Sequence, residues 1–299
     1  MFNGTMTALV TPFADGAIDE DAFRAHIERQ IEAGVDAIIP AGTTGEAATL
    51  SFDEHKRVIA IAVAQSAGRV PVIAGTGSNN TAESIELTQA AKALGADAAL
   101  LISPYYNKPT QQGIVQHYRA VAKAVHLPQI LYNVPGRTNS NLLPATVAQL
   151  ADVPNIVGIK DATADMAQLV QTMDACDGKL EFYSGDDATV MPFMALGGQG
   201  VISVVSNIAP KSMRALTHAM LTGDWRTARA MQFAMAELNR CLFLEANPIP
   251  VKAACHALGW MRNELRLPLT PLSKGAYQAL LEAMHVFDSG VERLEVVRH

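Results

Sequence analysis

Short apolar runs alternate with longer amphipathic stretches along most of this chain, the pattern of repeated βα units built on a parallel sheet. Thr5 to Val10 reads as a first strand. Asp19 to Ala33 reads as a helix, in which Phe23, Ile27 and Ile31 recur at helical spacing before Gly34 stops it. Ala37-Ile38-Ile39 predicts a second strand, followed by helix 53–67, strand 71–74 and helix 81–94. That last helix opens with Thr81-Ala82-Glu83-Ser84 as its capping segment and closes at Gly95. Ala98 to Ile102, Gln129 to Asn133, Ile156 to Lys160, Glu181 to Ser184 and Gly200 to Val204 supply five more strands, each followed by a loop and a helical stretch.

Eight such units predict an α/β chain folded as a (β/α)8 TIM barrel. An open doubly wound sheet is the competing arrangement, but its glycine fingerprint is missing from the first βα turn. Past about residue 223 the strand patterns cease, and 224–244, 250–258 and 272–287 predict helices separated by Pro and Gly. The expected organisation is a barrel over 1–223 and a C-terminal helical domain over 224–299. With no low-complexity linker between them, the helices should pack on the barrel.

Composition agrees with a large aliphatic core. Of the 299 residues 49% are hydrophobic but only 6% aromatic, so Ala, Val, Ile and Leu must fill an interior whose strands are covered on both faces. A net charge of -6 with no basic run argues against a nucleic-acid or membrane-surface partner. No signal peptide or membrane-length apolar stretch appears, which makes a cytoplasmic location the expectation. Cys176, Cys241 and Cys255 are widely spaced and read as buried reduced thiols. His26, His55, His117, His126, His218, His256, His285 and His299 form no H-x-x-x-H pair, so neither a metal nor a cofactor is expected.

In a TIM barrel the reacting groups sit at the carboxyl ends of strands. Lys160 ends the apolar run Ile156-Val157-Gly158-Ile159. There it is either an amine held neutral by desolvation and able to form a Schiff base with a ketone, or the partner of a carboxylate such as Asp161. Tyr132 ends the neighbouring strand and is either a proton shuttle for such an imine or an ordinary half-buried aromatic. Arg137 follows the Pro135-Gly136 turn, where it can grip a carboxylate with two parallel hydrogen bonds or simply face solvent. The turn Gly42-Thr43-Thr44-Gly45-Glu46 lacks the ending of a phosphate loop and suits a small carboxylate instead. Glu46 reads as a brace for that loop rather than a general base.

Together with Thr7-Ala8-Leu9-Val10-Thr11-Pro12-Phe13, Gly158-Ile159-Lys160-Asp161, Asn247-Pro248-Ile249-Pro250-Val251-Lys252 and Leu267-Pro268-Leu269-Thr270-Pro271, these segments resemble the dihydrodipicolinate synthase family, also called 4-hydroxy-tetrahydrodipicolinate synthase. The resemblance covers nearly the whole chain. It implies that pyruvate forms an imine on Lys160, that the derived enamine attacks L-aspartate 4-semialdehyde, and that the product enters the diaminopimelate route to lysine. Tyr132 would then be the proton donor and acceptor, with Thr43 and Tyr106 completing its relay. Thr44 and Ile202 would contact pyruvate, Arg137 the semialdehyde carboxylate, and Gly185 would line the site. The resemblance further implies that Tyr106 enters a neighbouring subunit's site, in a dimer or a homotetramer built as a dimer of dimers.

Feedback inhibition by L-lysine is implied through Ala48, His55, Asn79, Glu83 and Tyr105. Phe52 replaces a histidine and Ala47 a serine of the inhibited pattern, so weakened inhibition is the expectation. Other lysine-imine enzymes of the same superfamily, such as N-acetylneuraminate lyase, and a silent oxo-acid-binding barrel are the rival readings. Arg137 and the Thr43-Thr44 pair favour the synthase over the first, and the intact set Lys160, Tyr132, Thr43 and Tyr106 argues against the second.

Overall fold

The computed structural model describes residues 1–296, with side chains through Asp288. Eight parallel strands form the barrel: β1 (Gly4–Ala8), β2 (Ala37–Ile39), β3 (Ile73–Gly75), β4 (Ala98–Ile102), β5 (Gln129–Asn133), β6 (Ile156–Asp161), β7 (Glu181–Ser184) and β8 (Gly200–Ser203). Each strand pairs with the next in sequence, and β8 returns to β1 with Met6 opposite Ile202. The β2–β3 seam is the thinnest, carried by the bridge of Ile38 with Val72 and by Gly75 N–H donating to the Pro40 carbonyl at 3.0 Å.

Helices α1 (Glu20–Glu32), α2 (Phe52–Ser66), α3 (Thr81–Leu94), α4 (Gln111–Ala124), α5 (Pro144–Ala151), α6 (Met166–Cys176), α7 (Val190–Ala195) and α8 (Pro210–Thr222) surround the barrel. Helix α3 is capped one residue earlier than its sequence suggests: Asn80, not Thr81, accepts from the Ala82 N–H. A two-stranded hairpin, Phe13–Ala14 with Ala17–Ile18, was not visible as alternation because each strand is two residues long.

The C-terminal helices α9 (Trp225–Ala234), α10 (Ala236–Cys241), α11 (Ile249–Ala257) and α12 (Lys274–Val296) follow. The stretch expected as one helix over 224–244 bends at Met235, with no Gly or Pro to announce it. The bend lets Gln232 and Asn239, one from each half, both donate to the Asp187 carbonyl at 3.1 and 3.2 Å. These helices share a core with the barrel, where Met231, Leu238 and Leu280 join Val201, Val205 and Met213. The three cysteines are free and buried. No helix among the described residues is long and apolar enough to cross a membrane.

One buried network makes the fold sensitive to acid. The Asn207 amide is fixed, because its Nδ2 donates to the Ala8 and Val204 carbonyls while Oδ1 accepts from Val10 N–H. His26 Nε2, 2.9 Å from that same Oδ1, must therefore be the donor. Burial pushes the His26 imidazole down from 6.5 to about 4, which keeps it neutral in the fold. Between those two values the unfolded chain binds a proton that the folded chain does not, so stability falls as pH drops through the window. Urea unfolding is expected to show up to about 3 kcal/mol lost to this group between pH 7 and 4. His26→Gln keeps a donor without titrating and should show a shallower pH slope than the parent. Equal slopes would rule the group out as the cause.

Candidate active site

The carboxyl ends of the strands bring most of the sequence-selected residues to one end of the barrel. On β6 alternate residues face inward, so Gly158 and Lys160 point into the barrel while Ile159 joins the outer core. In register Lys160 lies beside Tyr132 on β5 and Tyr183 on β7. Its Nζ sits 4.2 Å from the centre of the Tyr132 ring, close enough for the ring face to attract the ammonium.

Lys160 is 6% exposed and makes no ion pair among the described residues, which removes the structural reading of the sequence. Asp161 turns the other way and accepts from the Thr163 N–H and hydroxyl at 2.8 and 2.6 Å. Gly185 is required by proximity: a Cβ there would lie 2.9 Å from Lys160 Cε and 2.7 Å from Ala162 Cβ. Ile202 is buried in the inner cluster with Tyr132 and Tyr183.

A cavity of about 410 Å3 is lined by Thr43, Tyr132 and Arg137, and Lys160, which is not on its wall, adjoins it through the Tyr132 ring. The cavity continues outward to Ala48, Phe52, His55, Glu83 and Tyr105, so most of the residues singled out for effector binding share one space with the site. Lys160 lies next to this space against Tyr132, and Thr44 is buried behind Thr43 in the same turn. Asn79 is not on the cavity wall; its carbonyl accepts from Asn107 Nδ2 at 2.9 Å. Glu83 is partly committed, accepting from Ser78 Oγ at 2.7 Å and Asn80 Nδ2 at 3.2 Å. His55 is held by the Gly75 carbonyl at 2.6 Å, and burial lowers its imidazole. Phe52 is half out of the protein, with the Lys56 ammonium 5.9 Å from its ring.

Tyr106 stands apart from the rest. It is 93% exposed at a φ of +70°, a conformation that few non-glycine residues adopt, and it is outside the cavity of its own chain. Arg137 is exposed but faces the cavity, with no carboxylate partner among the described residues and one bond, from Nη2 to the Asn247 carbonyl at 3.0 Å.

Glu46 does brace its loop. It adopts a left-handed conformation at φ +56° and receives Lys252 Nζ at 2.6 Å and the Arg266 N–H at 3.1 Å. The contacts from Asn247, Lys252 and Arg266 to the Thr43-Thr44 turn were not foreseen. Their segments were visible in the sequence, but separations above 200 residues leave no local pattern that pairs them.

Residues 1–286 match the dihydrodipicolinate synthetase family. The chain belongs to that family. A 4-hydroxy-tetrahydrodipicolinate synthase of Pelobacter propionicus is 52% identical over 284 residues, covering 95% of this chain and 98% of that one. Among solved structures, the dihydrodipicolinate synthase of Acinetobacter baumannii, complexed with pyruvate, superposes with a TM-score of 0.95 at 49% identity. It covers 96% of this chain and 99% of its own. The lysine-bound enzyme of Cyanidioschyzon merolae gives 0.93 at 41% identity, covering 96% and 98%. The family match runs through the whole barrel and into the last C-terminal helix, so family membership accounts for both parts.

No group of three or more His, Cys, Asp or Glu side chains among the described residues is placed to hold a metal ion, and His299 lies outside those residues.

Proposed function

We propose that this chain is a 4-hydroxy-tetrahydrodipicolinate synthase, a lyase that condenses pyruvate with L-aspartate 4-semialdehyde on Lys160 in the lysine route. The observation that carries this reading is a buried lysine, without an ion pair among the described residues, packed on the ring of Tyr132, which lines a cavity together with Thr43 and Arg137.

In the reaction the Lys160 amine adds to the pyruvate ketone and water leaves as the imine forms. Loss of a methyl proton gives the enamine, which attacks the aldehyde carbon of the second substrate. Attack by that substrate's amine on the imine carbon closes the ring and frees the lysine. Tyr132, whose ring packs on the amine, is the proposed proton carrier through its phenol, with Thr43 and Tyr106 as its relay. Thr44 and Ile202 bind pyruvate, Gly185 leaves room for the imine, and Arg137 takes the semialdehyde carboxylate.

The exposure of Tyr106 supports a role in a neighbouring copy's site, and with it a dimer or dimer of dimers. Barrel 1–223 and the C-terminal domain 224–299 are proposed to act as one body, supported by the core that the barrel shares with the described C-terminal helices, and the expected location is cytoplasmic. L-lysine is the proposed inhibitor, seated among Ala48, His55, Asn79, Glu83 and Tyr105. It is weakened where Phe52 and Ala47 provide no polar group.

A single assay series tests the reading. Turnover of pyruvate with aspartate 4-semialdehyde is expected, with no cleavage of N-acetylneuraminate, and added millimolar L-lysine should reduce the rate. Cleavage of the sugar acid without condensation would transfer the chain to the lyase branch, and unchanged turnover in lysine would remove the regulatory part alone.

A further inference from the structure

One residue of the C-terminal region reaches two of the candidate substrate-binding side chains directly. Asn247, which precedes α11, is 6% exposed. Its Nδ2 donates to Thr44 Oγ1 at 2.9 Å, and its backbone carbonyl accepts from Arg137 Nη2 at 3.0 Å. Its Oδ1 meets no protein donor among the described residues. One residue thus touches both side chains assigned above to carboxylates, although it lies 203 positions from Thr44 and 110 from Arg137.

A threonine hydroxyl has one proton to donate and two lone pairs with which to accept. The Asn247 amide occupies a lone pair, which leaves the Thr44 proton for a different acceptor. A carboxylate is the acceptor that gains most from it, because hydrogen bonds to an ionised group are the stronger kind. We propose that Asn247 is a positioning residue that sets the polarity of Thr44, holding its hydroxyl as a donor to the carboxylate of the oxo acid. Through its carbonyl the same residue orients the Arg137 fork, so the subsites for the two substrate carboxylates share one support. The inference rests on the reading of Thr44 as a pyruvate contact.

Four variants test it: Asn247→Ala, Asn247→Asp, Thr44→Val and the Thr44→Val/Asn247→Ala double. Loss of the amide should raise the KM for pyruvate about tenfold while kcat changes less than about twofold, the mark of binding lost equally from ground and transition states. Asn247→Asp is nearly isosteric but only accepts, so it should capture the Thr44 proton, repel the substrate carboxylate and raise that KM about a hundredfold. On the Thr44→Val background, Asn247→Ala should add less than about twofold, because no hydroxyl remains to orient. Melting temperature and the extent of borohydride-trapped adduct at saturating pyruvate monitor the fold and the lysine chemistry separately.

A parental pyruvate KM in Asn247→Asp would mean that the amide presents its oxygen to Thr44, and would overturn the proposal. So would fully additive losses in the double variant, which mark a packing residue. If Asn247→Asp does not fold, the cycle with Thr44→Val still decides. Absence of any trapped adduct in the parent protein is a different failure, removing the pyruvate reading and this inference with it.

Discussion

Lys160→Met is expected to lower kcat/KM by ~10⁴-fold or more, the scale on which removal of a covalent nucleophile is felt. The thioether occupies nearly the volume of the lysine stem and has no amine to form the imine. The pocket it enters is suitably apolar, being formed by the Tyr132 ring and the backbone of Gly185. Because Lys160 has no ion pair among the described residues to lose, this variant should melt at or above the temperature of the parent. Lys160→Arg makes the companion case: it retains a cation near Tyr132, but its guanidinium stays protonated and cannot attack a ketone. Both variants should fail to gain a pyruvate adduct on borohydride reduction, as read by intact mass and peptide mapping. Condensation within tenfold of the parent, or an adduct mapped to another lysine, would refute the assignment of the nucleophile.

The largest effect on stability is expected at the Lys252–Glu46 pair. Both side chains are essentially inaccessible, at 0% and 1% exposure, and their charged atoms lie 2.6 Å apart. Burial draws the Lys252 ammonium below its usual range, while the Glu46 carboxylate opposes that shift. The Phe13 ring also faces the ammonium, at 4.3 Å. Lys252→Met leaves the Glu46 carboxylate buried with one backbone N–H for company, and breaking a buried pair from one side costs about 3–5 kcal/mol. Glu46→Gln combined with Lys252→Met removes both charges and should recover most of that loss, because a buried pair rarely outperforms its neutral replacement. Chemical denaturation of the parent, single and double variants measures each figure. A single variant within about 1 kcal/mol of the parent would show that water reaches Glu46 and relieves it.

The consequences of that pair reach the chemistry, since Glu46 anchors the turn that carries Thr43 and Thr44. Its left-handed backbone is held by the side chain's bonds to Lys252 and to the Arg266 N–H. Arg266 in turn forks onto Glu54 at 2.7 and 2.5 Å, and its guanidinium holds the Glu54 carboxyl down at about 2. It also stacks at 4.4 Å on Phe13 of the hairpin. Helix α11 and the segments flanking it therefore complete the active-site end of the barrel rather than merely covering its side.

The sequence alone determined the repeating βα order, the lysine that ends β6, the tyrosine that ends the neighbouring strand and the Gly42 to Glu46 turn as a candidate carboxylate site. These are local: apolar runs define strands, and a barrel places its functional groups at the strand ends. It also held the segments Asn247 to Lys252 and Leu267 to Pro271 without indicating what they touch. Only the tertiary structure decided that Asn247 meets Thr44 and Arg137, and that Lys252 meets Glu46. It also decided that Lys160 rather than Asp161 faces the barrel interior with no ion partner among the described residues. The two-residue strands of the hairpin and the bend at Met235 belong with these. The physical reason is common to all of them: the energies come from hydrogen bonds and charges between residues distant in sequence, and such pairings have no period along the chain.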